Sequence, residues 1–331
     1  MSKGQRFGMG IGHDAVLLIA FGGPERMEDV RPFLTNVLRG RHVPRERIEE
    51  VVHHYELFDG RSPLAKLTLR QAEALRADLQ GRGRPLRVYT GMRNWKPYLR
   101  EAVARMRDDG VRRALGVIMA PHQSYSSWDQ YQENVAEACA CVGQAAPAVQ
   151  YLQTWFDHPG FIEAQSDRVA RALEAVPVAL RRDTPILFTA HSIPVEMAKR
   201  SPYVEQLTTS ARLVADRLAH ENWFVAYQSR SGDRYTPWLE PEVTDVIGRL
   251  AHRSPAVVVV PVGFVCDHIE VLYDLDIEAR GSARAAGIAY HRAGTVSDHP
   301  AFIRMLGDLI AALPCARNDE LQCHPQLAAP G

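Results

Sequence analysis

Two hydrophobic patterns alternate along the chain. The first is an unbroken apolar run, AVLLIAF at 15–21. A strand covered on both faces of a parallel sheet reads this way, because neither row of its side chains meets water. Runs of the same kind recur in RVYTGM (87–92), ALGVIMAP (114–121), VQYLQTW (149–155), TPILFTAHSIP (184–194), WFVAYQS (223–229), AVVVV (256–260) and IAYHRA (288–293). Between these runs apolar positions return at three- and four-residue spacing, the period of a helix with one buried face. This predicts helices over 29–38, 44–53, 64–79, 97–107, 128–141, 159–176, 203–219, 241–251 and 300–313.

Strands alternating with helices imply parallel sheets covered by helices on both faces. The alternation falls into two sets of about 150 residues, an ordinary domain size. The expected architecture is therefore α/β: two similar doubly wound, Rossmann-like domains with a cleft between them. No repeat of about 20–50 residues is visible, which excludes a solenoid.

Composition narrows the function. Lys+Arg and Asp+Glu are equal at 39 each in 331 residues. A balanced charge gives no support to a nucleic-acid partner. No apolar run reaches the length of a membrane span, and MSKGQRFGMGIGHD has no signal-like apolar core. The five cysteines are an odd count, and with no export signal they suggest free thiols in a reducing cytoplasm. Cys139 and Cys141 lie in an Ala-rich amphipathic stretch and read as small buried hydrophobes. Cys315 and Cys323 fall in a polar tail.

Candidate chemistry collects at strand ends, where open α/β sheets bind ligands. After AVVVV the chain turns through Pro261 and Gly263 into a helical pattern carrying Glu270, Asp274 and Glu278. Residues four apart share a helix face, about 6 Å apart along the axis. Such a row is either a solvated acidic face or a line of oxygen ligands for a divalent cation. His191 stands just past the strand ILFTA, and Pro194 forces an extended turn behind it. It is either a capped structural histidine or an imidazole aimed into a cleft. Trp238 sits in SRSGDRYTPWLEP, as a packed surface aromatic or as an apolar wall for a flat ligand. No GxGxxG, P-loop, GxSxG, HExxH or CxxC motif is present, so dinucleotide, P-loop and common hydrolase sites are not indicated.

The segments LLIAFGGP, HYELFDGRSPL, YTGMRNWKP, APHQSYSSWDQY, FTAHSIP, YQSRSGDRYTPWLEP and PVGFVCDHIEVLYDLDIEAR resemble the ferrochelatase family, in the family's order, over about residues 14–312. Members insert ferrous iron into a porphyrin during haem synthesis. LRGR (38–41), the lack of a lip insertion, and Ser62 and Tyr131 resemble the coproporphyrin III branch, which makes coprohaem. The resemblance implies chelatase-type domains at 14–156 and 157–297, the second carrying the metal-site residues. A disordered lead-in at 1–13 precedes them. A C-terminal helix, 298–314, is expected to pack back on the first domain, ahead of a tail at 315–331.

Roles follow from the same resemblance. His191 and Glu270 match the catalytic, metal-binding pair. Asp274 and Glu278 match further acidic metal positions on a helix that contains a wide π-type turn. Tyr55, Ser62 and Tyr131 match positions that hold porphyrin propionates, and Trp238 matches a pocket aromatic. Phe21 also faces the porphyrin, where short-type relatives carry a Tyr that ligates iron. Leu38 and His54 stand where relatives have arginines. Trp128 occupies the place of an internal cluster-ligating Cys, so no 2Fe-2S cluster is expected, four thiolates being the usual requirement.

The expected reaction needs no cofactor and takes ferrous iron as a substrate. A neutral His191 accepts a pyrrole proton, and Glu270 takes another or holds the metal. The expected partners are the porphyrin and iron alone, for a monomeric cytoplasmic enzyme with no nucleic-acid partner and no transmembrane segment. The rival readings are a protoporphyrin IX ferrochelatase, another tetrapyrrole chelatase, and a non-enzymatic haem or porphyrin carrier. Phe21 in place of Tyr weighs against the carrier.

Overall fold

The computed structural model describes residues 12–40, 43–231 and 235–313. Eight strands form two parallel four-stranded sheets. In the first, β1 (Ala15–Ala20) lies between β2 (Arg87–Met92) and β3 (Arg113–Ile118), with β4 (Ala148–Tyr151) outside β3. In the second, β5 (Ile186–His191) lies between β6 (Trp223–Gln228) and β7 (Ala256–Val260), with β8 (Ala289–Arg292) outside β7. The orders β2-β1-β3-β4 and β6-β5-β7-β8 are one winding used twice.

The unbroken apolar runs have the expected cause. Every residue of β1 is buried. Its Val16 and Leu18 enter a core shared by both lobes, while Leu17 and Ile19 enter a separate core on the sheet's other face. Strand β7 repeats this arrangement: Val258 and Val260 join the shared core, Val257 and Val259 an outer one. Strand β1 stops at Gly22, whose φ of +91° suits glycine; a Cβ there would lie 2.9 Å from the Trp95 backbone nitrogen.

The lobes are joined in several places. Helix Pro300–Ala311 packs on both Leu64–Gly81 and Pro159–Glu174. Its Phe302 ring lies 5.2 Å from Trp155, which lies 5.1 Å from Phe161. Arg84 Nη1 donates to the carbonyls of Ile310 (3.1 Å) and Leu313 (2.8 Å), groups a helix end leaves without intrahelical partners. On the other flank, His122 Nε2 meets Ser210 Oγ at 3.0 Å, and the Gln206 side chain pairs with Gln123 at 2.8 and 2.9 Å.

Some local structure departs from the hydrophobic pattern. The helix expected at 128–141 is entered through a π-turn, Tyr125–Asp129, before the α-helix Gln130–Val142. The short helices Val178–Leu180 and Val195–Lys199 carry too few apolar repeats to be seen. Cys141 is exposed and Cys139 only half-buried, which corrects their reading as buried hydrophobes. The core face of their helix is set by Tyr131, Val135 and Ala138, and Cys141 falls outside it. Arg41, Gly232, Cys315 and Cys323 lie outside the described residues, with the lead-in up to residue 11 and the tail from 314.

Candidate active site

The chemistry gathers at the carboxyl ends of β5, β6 and β7. His191 is the last residue of β5. Its Nδ1 bonds to the Ser192 carbonyl, and a carbonyl only accepts, so Nδ1 carries the hydrogen. In the neutral ring this leaves the lone pair on Nε2, which faces Glu270 Oε2 at 3.8 Å. Tyr203 donates its hydroxyl to the His191 carbonyl at 2.9 Å and steadies the strand end.

Glu270 enters on a short helical turn, Ile269–Val271, that leads into an eight-residue π-helix, Leu272–Ala279. The wide turn implied by the resemblance is thus present, and such turns occur often at functional sites. A second imidazole, His268 Nε2, stands 3.6 Å from Glu270 Oε2. The Glu270 carboxylate is bracketed by two histidines. Sequence reasoning did not single out His268, although it lies only two residues before Glu270.

Carboxylates of the acidic row are driven apart electrostatically. Burial alone would push Glu270 up, but the hydrogen bond from His268 and the positive charges that His191 and His268 carry when protonated outweigh it and hold the group down at about 2. Glu270 is ringed by protein, yet its side chain is 49% exposed to the open cleft, so water screens part of that effect. Asp274 moves the other way. Burial pushes it up to about 7, the charges of Glu270 and Glu278 add to this, and hydrogen bonds from Ser229 and Gln228 oppose it. Glu270 therefore stays anionic, as a ligand for a divalent cation should, while Asp274 exchanges a proton near neutrality.

Neighbouring strand ends fix Asp274. Ser229 Oγ donates to Asp274 Oδ2, and Gln228 Nε2 reaches the same oxygen at 3.3 Å. Thr189 Oγ1 in turn donates to Gln228 Oε1 at 2.9 Å. Ser229 holds φ at +61°, a conformation that costs a non-glycine residue energy and that gathers at functional sites. Glu278, at the outer end of the row, is exposed. Among the described residues, no three His, Cys, Asp or Glu side chains converge to hold a metal. His191 and Glu270 face one another, and Asp274 and Glu278 continue outward in an open line.

The aromatic candidates form a wall in the first lobe. The Phe21 ring lies 6.3 Å from Phe33, and Tyr55 lies 6.0 Å from Phe33. Arg93, absent from the sequence-based set, places its guanidinium 4.4 Å from the Tyr131 ring and 5.7 Å from Phe21. Burial raises the Tyr55 and Tyr131 hydroxyls, with the Glu270 charge as a further cause in both, so the wall lies within the field of the acidic row. Ser62 is buried in the adjoining loop, where a Cβ on Gly23 would come within 2.6 Å of its Oγ. Trp238 is in the second lobe, bridged to Pro194 just after His191. Its buried Nε1 has no hydrogen-bond partner among the described residues. Two hollows, one between Arg76 and Arg105 and one beside Arg168, lie away from these groups.

Two lobes built on parallel sheets, the second bringing a histidine and a carboxylate face to face at its strand ends, define a two-domain chelatase-type protein. Solved structures share this fold: SirB from Bacillus subtilis, with a TM-score of 0.56 at 10% identity over 90% of this chain and 94% of that one, and a multi-domain protein from Deinococcus radiodurans described as similar to chelatases, with a TM-score of 0.54 at 18% identity over 93% of this chain. The latter carries two additional domains, and the match spans 56% of its length. The ferrochelatase family profile matches residues 13–313, and the chain belongs to the ferrochelatase family. A ferrochelatase of Rhodopirellula baltica is 44% identical over 90% of this chain and 85% of its own length. The coproporphyrin III ferrochelatases of Mycolicibacterium smegmatis and Streptomyces coelicolor are 46% and 43% identical, each over 90% of this chain and over 88% and 84% of their own lengths.

Proposed function

We propose that this ferrochelatase inserts ferrous iron into coproporphyrin III, giving coprohaem and releasing two protons. The observation that carries the reading is the His191 Nε2 lone pair facing the anionic Glu270 carboxylate at 3.8 Å beside an aromatic wall. Support for the substrate comes from relatives named coproporphyrin III ferrochelatase at 43–46% identity.

The roles follow from the reaction. A free-base porphyrin must lose two N–H protons before its nitrogens can hold a metal. His191 Nε2 accepts one, since its Nδ1 hydrogen is already committed to Ser192, and Glu270 takes the other as the iron passes from it to the ring nitrogens; both protons then leave to water. Glu270 receives the incoming iron as a substrate ligand, with Asp274 and Glu278 feeding it from the mouth. Phe21 and Trp238 press on the ring faces, while Tyr55, Ser62, Tyr131 and Arg93 serve its propionates. Arg93 supplies the cation, because a guanidinium binds carboxylate more strongly than a hydroxyl does. No 2Fe-2S cluster enters the scheme: Trp128 fills the internal position, and Cys139 and Cys141 sit two apart on one helix, so they leave by different faces.

We assign the two domains to 14–156 and 157–297, with helix 298–314 bracing them, and read the enzyme as a cytoplasmic monomer. No helix among the described residues is long and apolar enough to cross a membrane. The test is anaerobic insertion of ferrous iron into coproporphyrin III and into protoporphyrin IX, followed by absorbance. Faster turnover of coproporphyrin III is expected; a clear preference for protoporphyrin IX would reverse the substrate assignment.

A further inference from the structure

We infer that Arg292 is a positioning residue for the metal-site carboxylates, one guanidinium holding both ends of the segment that carries them. This rests on the reading of Glu270 and its row as the metal path. Arg292 is the last residue of β8, in register with Val259 of β7, and so stands on the rigid sheet. Its side chain is only 13% exposed. Nη1 meets Asp267 Oδ1 at 3.1 Å and Nη2 meets Asp267 Oδ2 at 3.4 Å, a two-pronged contact. The third nitrogen, Nε, meets Asp276 Oδ1 at 3.0 Å.

The two anchor points explain the choice of arginine. Asp267 immediately precedes His268 and lies three residues before Glu270; Asp276 lies two residues after Asp274. Every group on this segment that the proposed chemistry uses, Glu278 excepted, therefore lies between the two clamped carboxylates. The span includes most of the π-helix Leu272–Ala279. A π-turn competes with the commoner α-helical register, and a slip would rotate Asp274 away from Ser229 and Gln228. Two carboxylates held from one fixed strand end select the wide register. Arg280 also meets Asp276, at 2.9 Å, but it is 58% exposed and lies four residues further along the same segment, so it fixes nothing to the sheet.

A buried ion pair can also serve stability alone, and the experiment separates that role from positioning. Arg292→Lys keeps the charge and the fold but loses the planar fork, so it cannot hold both carboxylates in the same geometry. Iron insertion by the full chain is measured for Arg292→Lys, Asp276→Asn and Glu270→Gln, with thermal stability and porphyrin affinity by fluorescence alongside. The expected result for Arg292→Lys is a fall in kcat of about ten- to a hundredfold, the scale of a displaced catalytic group. Porphyrin affinity should stay within about twofold, and Asp276→Asn should show a smaller loss of the same kind. A lowered melting temperature with unchanged kcat in Arg292→Lys overturns the inference and leaves Arg292 structural. Loss of insertion in Glu270→Gln beside full activity in Arg292→Lys overturns the clamp alone. Full activity in Glu270→Gln overturns the reading of the row, and the clamp with it.

Discussion

His54 stacks on Tyr273, with ring centroids 3.5 Å apart and planes 12° from parallel. The contact runs from helix Arg45–Glu56 of the first lobe to the π-helix of the second, and both partners adjoin residues of the proposed site. Tyr55 follows His54, and Asp274 follows Tyr273. The stack sets the distance between the aromatic wall and the acidic row at one point. His54→Ala and Tyr273→Ala should therefore each lower stability. A double-mutant cycle in denaturant should give a coupling of about 0.5–1.5 kcal/mol, the range for aromatic pairs. Additive losses would show that the rings contribute independently.

The proton acceptor can be tested directly. His191→Ala leaves the wall of Phe21, Tyr55 and Tyr131 in place and removes the lone pair facing Glu270. Porphyrin should bind with nearly parental affinity, while insertion should fall by about 10²–10⁴-fold, the usual contribution of a positioned base. Near-parental turnover would take His191 out of the mechanism.

Row carboxylates should differ in kind. Glu270→Gln keeps the shape but removes the anion proposed to meet the metal, so kcat should drop steeply. Asp274→Asn and Glu278→Gln should act mainly on the apparent KM for iron, because a delivery site changes occupancy rather than the chemical step. A solvated acidic face instead predicts unchanged iron kinetics in the two outer variants. It also predicts a stability gain of a few tenths of a kcal/mol from relieved repulsion. Steady-state kinetics and melting curves on the same three proteins distinguish these outcomes.

His122 should impose a pH dependence on stability. Burial lowers its pKa from 6.5 to about 3, so the folded protein resists protonation that the unfolded chain accepts. Between these values the unfolded state binds more protons, and stability rises with pH. The contribution of neutral His122 is fully present above about 6.5 and is lost as pH falls toward about 3, by as much as ~1.4 kcal/mol per unit. His122→Gln should flatten this slope relative to the parent. Parallel melting-temperature profiles from pH 7 to pH 4 would show that His122 does not carry it.

The central strands were legible in the sequence because two-sided burial leaves a local mark. Every residue of β1 and β7 is buried, so both stand out as apolar runs whatever packs on them. The acidic row was legible for a similar reason: four-residue spacing is a property of the helix alone. His191 could be placed at a strand end because ILFTAH is followed by Pro194. Short helices escaped notice because a single turn shows no period, and Cys141 was misplaced because an Ala-rich helix barely distinguishes its faces.

Partnerships between distant residues belong to the tertiary structure. Arg93 reaches Tyr131, and Arg292 reaches Asp267 and Asp276, because sheets and helices far apart in sequence fix their separation. The opposite fates of Glu270 and Asp274 show the reason most directly. The two carboxylates share a row and a spacing, and His268 is the one nearby residue in the sequence that tells them apart. His191 and His268 converge on one, while Gln228, Ser229 and the charges of Glu270 and Glu278 surround the other. Charge and desolvation act through space, so only the folded chain decides which carboxylate stays anionic and which takes a proton near neutrality.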